Sequence, residues 1–213
     1  METLKGIVAN VDWQVENTLI LRIKLKKQLE FEPGQFINLT YHDVTRSYSV
    51  CNFEKGNILE LLIKMKPGGK MSELLKEMKA GEEVSIQGLF NESDFSGKKL
   101  LCLAGGSGQA AFVSLVRAVE NGTLKKDVVT IFSSRKLSEV GFLNEMQNLT
   151  KVKVIITLTR ESNKEYENGR ISREMVKRYV KPGDYKLLIC GPEGFTKAMG
   201  ELFKEFEPHL MSW

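Results

Sequence analysis

From residue 99 onward, short apolar runs alternate with amphipathic stretches, and no other feature constrains the fold of this chain as tightly. KLLCLAG (99–105), DVVTIFSS (127–134), VKVIITLT (152–159) and YKLLICG (185–191) read as buried strands, each too short for a helix and bounded by turn or polar residues. Following them, SGQAAFVSLVRAVENG (107–122), VGFLNEMQNL (140–149), ISREMVKRYV (171–180) and PEGFTKAMGELFKEF (192–206) carry helical spacing. Strand–helix alternation of this kind demands a parallel sheet covered on both faces. Ligands of such sheets sit at the carboxyl ends of the strands, where the connections switch sides.

The first half has a different rhythm. ILRIKL (20–25), QFINLTY (35–41), RSYSVC (46–51), ILELLIKM (58–65) and EVSIQGL (83–89) are short strands, separated by turn signals such as Pro33-Gly34 and Pro67-Gly68-Gly69. Such a series predicts an antiparallel closed barrel. One segment, KMSELLKEM (70–78), has apolar residues at helical spacing, with Ser72 near its start where a hydroxyl can cap the helix or meet an anion. The expected architecture is therefore a barrel over 1–96 and an open α/β domain over 97–213, with no internal repeat.

Composition removes several function classes. No apolar run approaches the roughly 18 residues of a membrane span, and METLKGIVANV lacks the form of a signal peptide. A cytoplasmic setting is expected. Cys51, Cys102 and Cys190 lie far apart, without a C-x-x-C, and there are only two histidines, so no zinc or iron–sulfur site is expected. The net charge of +4 is too small for a nucleic-acid footprint but suits an acidic protein partner. Lys24, Lys26 and Lys27 form the clearest basic cluster, although a lysine run also suits a solvated face.

AGGSGQAA (104–111) follows a strand and opens a helix, and Gly106, Gly108 and Ala111 fit G-x-G-x-x-A. Glycine allows a sharp turn and a close backbone approach to a pyrophosphate, while the helix start offers unpaired N–H groups. The same pattern also suits an ordinary strand-to-helix turn. The second strand ends IFSSRK, with Ser133, Ser134, Arg135 and Lys136 where an acidic ribose ligand would stand, which favours an extra phosphate. In RSYSVCNF (46–53), Arg46 and Tyr48 share strand parity and so point to one face, where a ligand anionic at one end and flat at the other could touch both.

RSYS (46–49), AGGSG (104–108) and CGPEG (190–194), in this order, resemble the ferredoxin–NADP reductase superfamily over essentially the whole chain. The resemblance implies a flavin in the barrel and a nicotinamide cofactor in the α/β domain. It assigns Arg46 to the flavin phosphate, Tyr48 to packing on the isoalloxazine, and Ser49 to a hydrogen bond near N5. Gly69, Lys70, Met71 and Ser72 of GGKMS (68–72) take the pyrophosphate, which favours FAD over FMN. Gly106, Ser107 and Gly108 bind the nicotinamide cofactor, as do Gly191 and Pro192, and Cys190 lies against the nicotinamide. Ser107, Gln109 and Ala111 replace the family's usual threonine, apolar residue and proline. Ser134, Arg135, Arg160 and Arg170 imply a 2′-phosphate and hence NADPH. Trp213 is a candidate gate on the flavin, and a terminal tail packed elsewhere fits it equally.

The implied chemistry is hydride transfer from NADPH to flavin, with Ser49, Tyr48 and Cys190 around the reacting pair, then single electrons passed to ferredoxin or flavodoxin. Two alternatives remain: a reductase of free flavin, iron or quinone, and an electron-transfer subunit of a larger complex.

Overall fold

The computed structural model describes residues 3–15 and 17–212. Six antiparallel strands form the first half: β1 (Thr3–Val15), β2 (Thr18–Leu29), β3 (Gln35–Tyr41), β4 (Val44–Ser49), β5 (Gly56–Lys64) and β6 (Glu83–Asn91). Their order is β4-β3-β6-β1-β2-β5. Just beyond β4, Val50 bridges Leu61 of β5 and closes the barrel. Helix α1 (Lys70–Glu77) crosses between β5 and β6 and packs against β4. Leu21, Ile23, Ile37, Leu39, Leu61 and Ile63 are fully buried inside.

The second half holds β7 (Lys99–Gly105), α2 (Ala110–Glu120), β8 (Asp127–Ser134), α3 (Leu143–Gln147), β9 (Lys153–Leu158), β10 (Glu167–Asn168), α4 (Arg173–Tyr179), β11 (Lys186–Gly191), α5 (Glu193–Leu202) and β12 (His209–Ser212). The sheet order is β10-β9-β8-β7-β11-β12, with every pairing parallel. Strand parity divides the core. Leu100, Cys102, Phe132 and Leu188 pack on α2, while Leu101, Leu103, Ile131 and Ile189 pack with Val176 of α4 and Met199 and Phe203 at α5.

Three features depart from the sequence reading. Strand β1 was not anticipated; its register shifts between Val8 and Asn10 and between Trp13 and Val15, so the period-two pattern breaks twice. Strand β12 adds to the sheet edge where no strand was expected, with Leu210 paired to Ile189. Helix α3 covers only part of 140–149. Phe142 is left-handed at φ 55°, and a Cβ on Gly141 would lie 2.5 Å from Leu62, so the chain reaches α3 through a turn pressed against β5.

The two halves share a core. Helix α2 is buried on all sides from Ala110 to Val116, because Ile20, Cys51 and Leu62 of the barrel cover the side that faces away from the sheet. Gly34 N in the barrel donates to Ser114 Oγ of α2 at 3.2 Å. Ile20 is only 2% exposed, so Ile20→Ala is expected to cost about 2–5 kcal/mol. Hydrogen exchange should show lost protection in α2 as well as β2; loss confined to the barrel would contradict a shared core.

Candidate active site

Register on β4 sorts its side chains. Arg46 stands opposite Leu39 and Tyr48 opposite Ile37, on one face; Ser47 stands opposite Asn38 and Ser49 opposite Phe36, on the other. Ser47 Oγ and Asn38 Oδ1, 2.7 Å apart, hold that pairing. Arg46 is exposed and donates only to the Thr45 carbonyl, at 2.7 Å; no carboxylate among the described residues pairs with it. Tyr48 is half-buried against the barrel core. Burial pushes its phenol up to about 12, with the Arg46 charge pulling the other way.

The start of α1 lies beside this strand. Gly69 is an extended N-cap with no side-chain capping bond, so the first-turn N–H groups of Lys70, Met71 and Ser72 lack intrahelical acceptors. Lys66 N donates to Ser72 Oγ at 2.8 Å, which leaves the hydroxyl hydrogen available to another acceptor. The Met71 side chain is 3% exposed within the barrel core, so it can meet a ligand only through its backbone. Alongside runs a groove of about 530 Å³ lined by Tyr41, His42, Val44, Gly68, Lys70 and Leu74, among others. Lys24, Lys26 and Lys27 are exposed on β2, a strand that carries none of these residues.

The glycine loop is defined by what it touches. Gly106 turns at φ +54°, and residues 106–109 form a 3-10 turn that leads into α2. A Cβ on Gly108 would lie 2.2 Å from the Cys190 carbonyl oxygen. One on Gly105 would lie 2.5 Å from the Phe195 ring, and one on Gly191 would lie 3.0 Å from the Gly105 oxygen. Thus AGGSG and CGPEG, more than eighty positions apart, are packed backbone to backbone. Ser107 is exposed, and Pro192 is the N-cap of α5. The Cys190 side chain is fully buried with Cys102, Ala104 and Met211, so its carbonyl, rather than its thiol, meets the loop. Trp213 lies outside the described residues.

Sequence reasoning missed Lys64. This lysine ends the barrel strand β5, pairs with Glu139 of the other half, and brings Nζ within 3.9 Å of where a Gly106 Cβ would stand. The signal was a lone cation closing the apolar run LLI.

Backbone pairing carries the three arginines to the ends of neighbouring strands. Arg160 N donates to Arg135 O and Thr159 N to Ser134 O, both at 2.9 Å, extending the β8–β9 ladder past both strands. Gly169 N donates to Leu158 O at 2.8 Å, which brings Arg170 to the same end. All three arginines are exposed, and none has an ion pair among the described residues. Ser134, 3% exposed, keeps a buried Oγ without a hydrogen-bond partner.

Comparison with known families assigns the two halves. The oxidoreductase FAD-binding domain matches residues 8–93, and the oxidoreductase NAD-binding domain matches residues 102–201. The chain belongs to the ferredoxin–NADP reductase superfamily. Within that superfamily it is 23% identical, over 92% of its length, to the ferredoxin–NAD(P)+ reductase component of a naphthalene 1,2-dioxygenase system from Pseudomonas putida. It is 36% identical over 52% of its length to the protein RfbI of Salmonella typhimurium. It spans 63% and 34% of those relatives, less than two thirds of each. A solved ferredoxin NADP+ reductase from Neisseria gonorrhoeae, with bound FAD and NADP, shares the fold at TM-score 0.85 and 20% identity, over 100% of this chain and 99% of that one.

The residues fit both dinucleotides. The uncapped start of α1, a helix packed against the strand that carries the unpaired Arg46 and the half-buried Tyr48, suits a flavin with a pyrophosphate. The glycine-rich loop and the partnerless Ser134 hydroxyl suit a nicotinamide dinucleotide.

Gly108→Ala is expected to drive a Cβ into backbone that cannot move aside, an overpacking cost of about 1–3 kcal/mol, and to abolish measurable nucleotide binding by calorimetry while flavin content is retained. A pH dependence also follows. Cys51 is raised by burial from 9.0 to about 12, and Tyr48 from 10.0 to about 12. Both hold their protons longer when folded, so their contribution is complete below pH 9 and is lost as pH rises to about 12. Denaturant melts should lose stability across that window, and Cys51→Ala should flatten the decline; an unchanged slope would show that the thiol titrates normally.

Proposed function

We propose that this chain is a flavoprotein reductase that moves reducing equivalents from NADPH through FAD to a separate one-electron carrier protein of the ferredoxin or flavodoxin kind. The observation that carries this reading is the position of the glycine loop. It lies against the CGPEG turn on one side and near Lys64 of the flavin barrel on the other, so two dinucleotide sites adjoin within one chain. When bound, FAD accepts the hydride pair and releases electrons singly, which is the cofactor's own chemistry.

The protein supplies charge and orientation. Arg46, Lys70 and the free N–H groups of α1 hold the flavin phosphates, and the Ser72 hydroxyl donates to one of them. Tyr48 packs on the flavin ring, and Ser49, whose side chain is on the other strand face, supplies a hydrogen bond near N5 through its backbone or a local twist of the strand. Gly106, Ser107 and Gly108 seat the nicotinamide dinucleotide's pyrophosphate, while Gly191 and Pro192 shape the nicotinamide end. Cys190 contributes through its carbonyl and through neutral bulk behind that end. Ser134, Arg135, Arg160 and Arg170 hold the ribose 2′-phosphate, which NADPH carries and NADH lacks. A basic chain favours an acidic carrier, and three buried thiols outside any disulfide suit a reducing cytoplasm.

Anaerobic titration of the flavin absorbance with NADPH and NADH in parallel tests this. NADPH should bleach the flavin at least tenfold faster, and Arg135→Ala with Arg160→Ala should reduce that preference by roughly tenfold or more, the loss of one to two charge-assisted contacts. Equal rates with both nucleotides would remove the NADPH assignment. A protein that takes up no flavin would remove the function.

A further inference from the structure

Arg117 is the only charged residue between Ala110 and Val119, in a helix otherwise buried all round. Its side chain is 18% exposed and lies in the seam between barrel and sheet. Nη1 donates to the Cys51 carbonyl at 2.9 Å and to Glu60 Oε1 at 2.7 Å, both in the barrel. Nε and Nη2 grip Glu145 of α3 at 2.6 and 2.7 Å, as a bidentate fork. The guanidinium also stacks on Phe142, 4.5 Å from the ring centre. Glu60, 7% exposed, spends its second oxygen on Arg22 at 2.7 Å.

The placement of this knot sets it apart from a general stabilising contact. Cys51 lies two residues beyond Ser49 on the flavin strand, and its N–H donates to Glu60 O at 2.9 Å. At the other end of the same helix, about 14 Å away at 1.5 Å per residue, sits the glycine loop. One rigid helix therefore connects the nucleotide loop to the flavin strand, and Arg117 is its fastening on the flavin side. Lysine could not reproduce this, since a single ammonium cannot fork onto Glu145 while also reaching Glu60 and the Cys51 carbonyl.

We propose that Arg117 is a positioning residue, which fixes helix α2 against the end of the flavin strand and so sets the separation of the two reacting rings. The proposal rests on the reading of the chain as an NADPH–flavin reductase. A change of about 1 Å in such a separation slows transfer by roughly a hundredfold.

Two measurements on the flavin-loaded full chain test it. Spin labels on Lys26→Cys in the barrel and Lys181→Cys in the α/β half report the distance between halves; the three native thiols are buried and do not compete. Arg117→Met should broaden that distance distribution. In stopped-flow reduction at saturating NADPH it should slow flavin bleaching by roughly tenfold or more, with NADPH affinity changed by less than about threefold and Arg117→Lys only partly restoring the rate. A distribution as narrow as wild type overturns the proposal. Broadening with an unchanged rate also overturns it, because the tie would then be structural only. Should Arg117→Met fail to fold, Glu60→Gln, which weakens the barrel contact and keeps the fork onto Glu145, is read by the same criteria. A wild-type protein that neither NADPH nor NADH reduces would sink the functional reading and the positioning role with it; the distances, which need no turnover, would still show whether Arg117 holds the halves together.

Discussion

The contact on which the site depends is the approach of Gly108 to the Cys190 carbonyl. No side chain fits there, since a Cβ would stand 2.2 Å from the oxygen. The consequence reaches beyond one glycine. Gly105 and Gly191 lie in the same packing, against each other and against Phe195, so the loop after β7 and the turn after β11 form one glycine-lined surface. Adjacent strands β7 and β11 bring them there, with Cys190 in register with Ala104. A dinucleotide can lie against bare backbone across both strand ends, and N–H groups supply the attraction where side chains would obstruct it.

The second constraint is the burial of α2. A helix on the outer layer of a parallel sheet ordinarily shows a polar face to water. Here the barrel takes the place of water, with Ile20, Cys51 and Leu62 seated in the core of the other half. The loop that begins α2 is thereby held at a fixed place relative to β4 and β5. Two separately folding halves on a flexible linker would leave the two cofactor sites to find each other by diffusion; a shared core removes that freedom.

Much of this was legible in the sequence, for identifiable reasons. The strands β7, β8 and β11 are buried on both faces, so they read as continuous apolar runs with little ambiguity. RSYS kept its predicted facing because strand parity is a hard geometric rule, and the register of Arg46 and Tyr48 obeys it. What escaped was whatever depended on partners. Strand β1 looks irregular because two register shifts interrupt its alternation and Ile7 and Trp13 lie 40% exposed. Strand β12 has four residues and exists only because β11 offers an edge. The all-round hydrophobicity of AAFVSLVRAV was plain in the sequence, but its meaning required knowing that a second domain covers the far side. Cys190 is expected to lie against the nicotinamide; parity within β11 turns its side chain toward α2 and leaves its carbonyl at the loop.

Charge is distributed around the proposed site in a way that suits hydride transfer. As proposed, fixed cations stand at its two extremes: Arg46 and the α1 terminus for the flavin phosphates, and Arg135, Arg160 and Arg170 for the far ribose. The ground between is formed by glycine backbone and neutral hydroxyls, and the thiols of the core behind it are kept protonated by burial; Cys51 is held to about 12 and Cys102 is raised as well. Lys64, whose Nζ lies 3.9 Å from where a Gly106 Cβ would stand, is already matched by Glu139. An uncompensated charge beside the reacting rings would favour one redox state over the other through a poorly screened interior. Placing the recognition charges about the phosphates, and leaving the centre neutral, separates affinity from redox poise: the arginines can select the nucleotide without acting directly on the flavin.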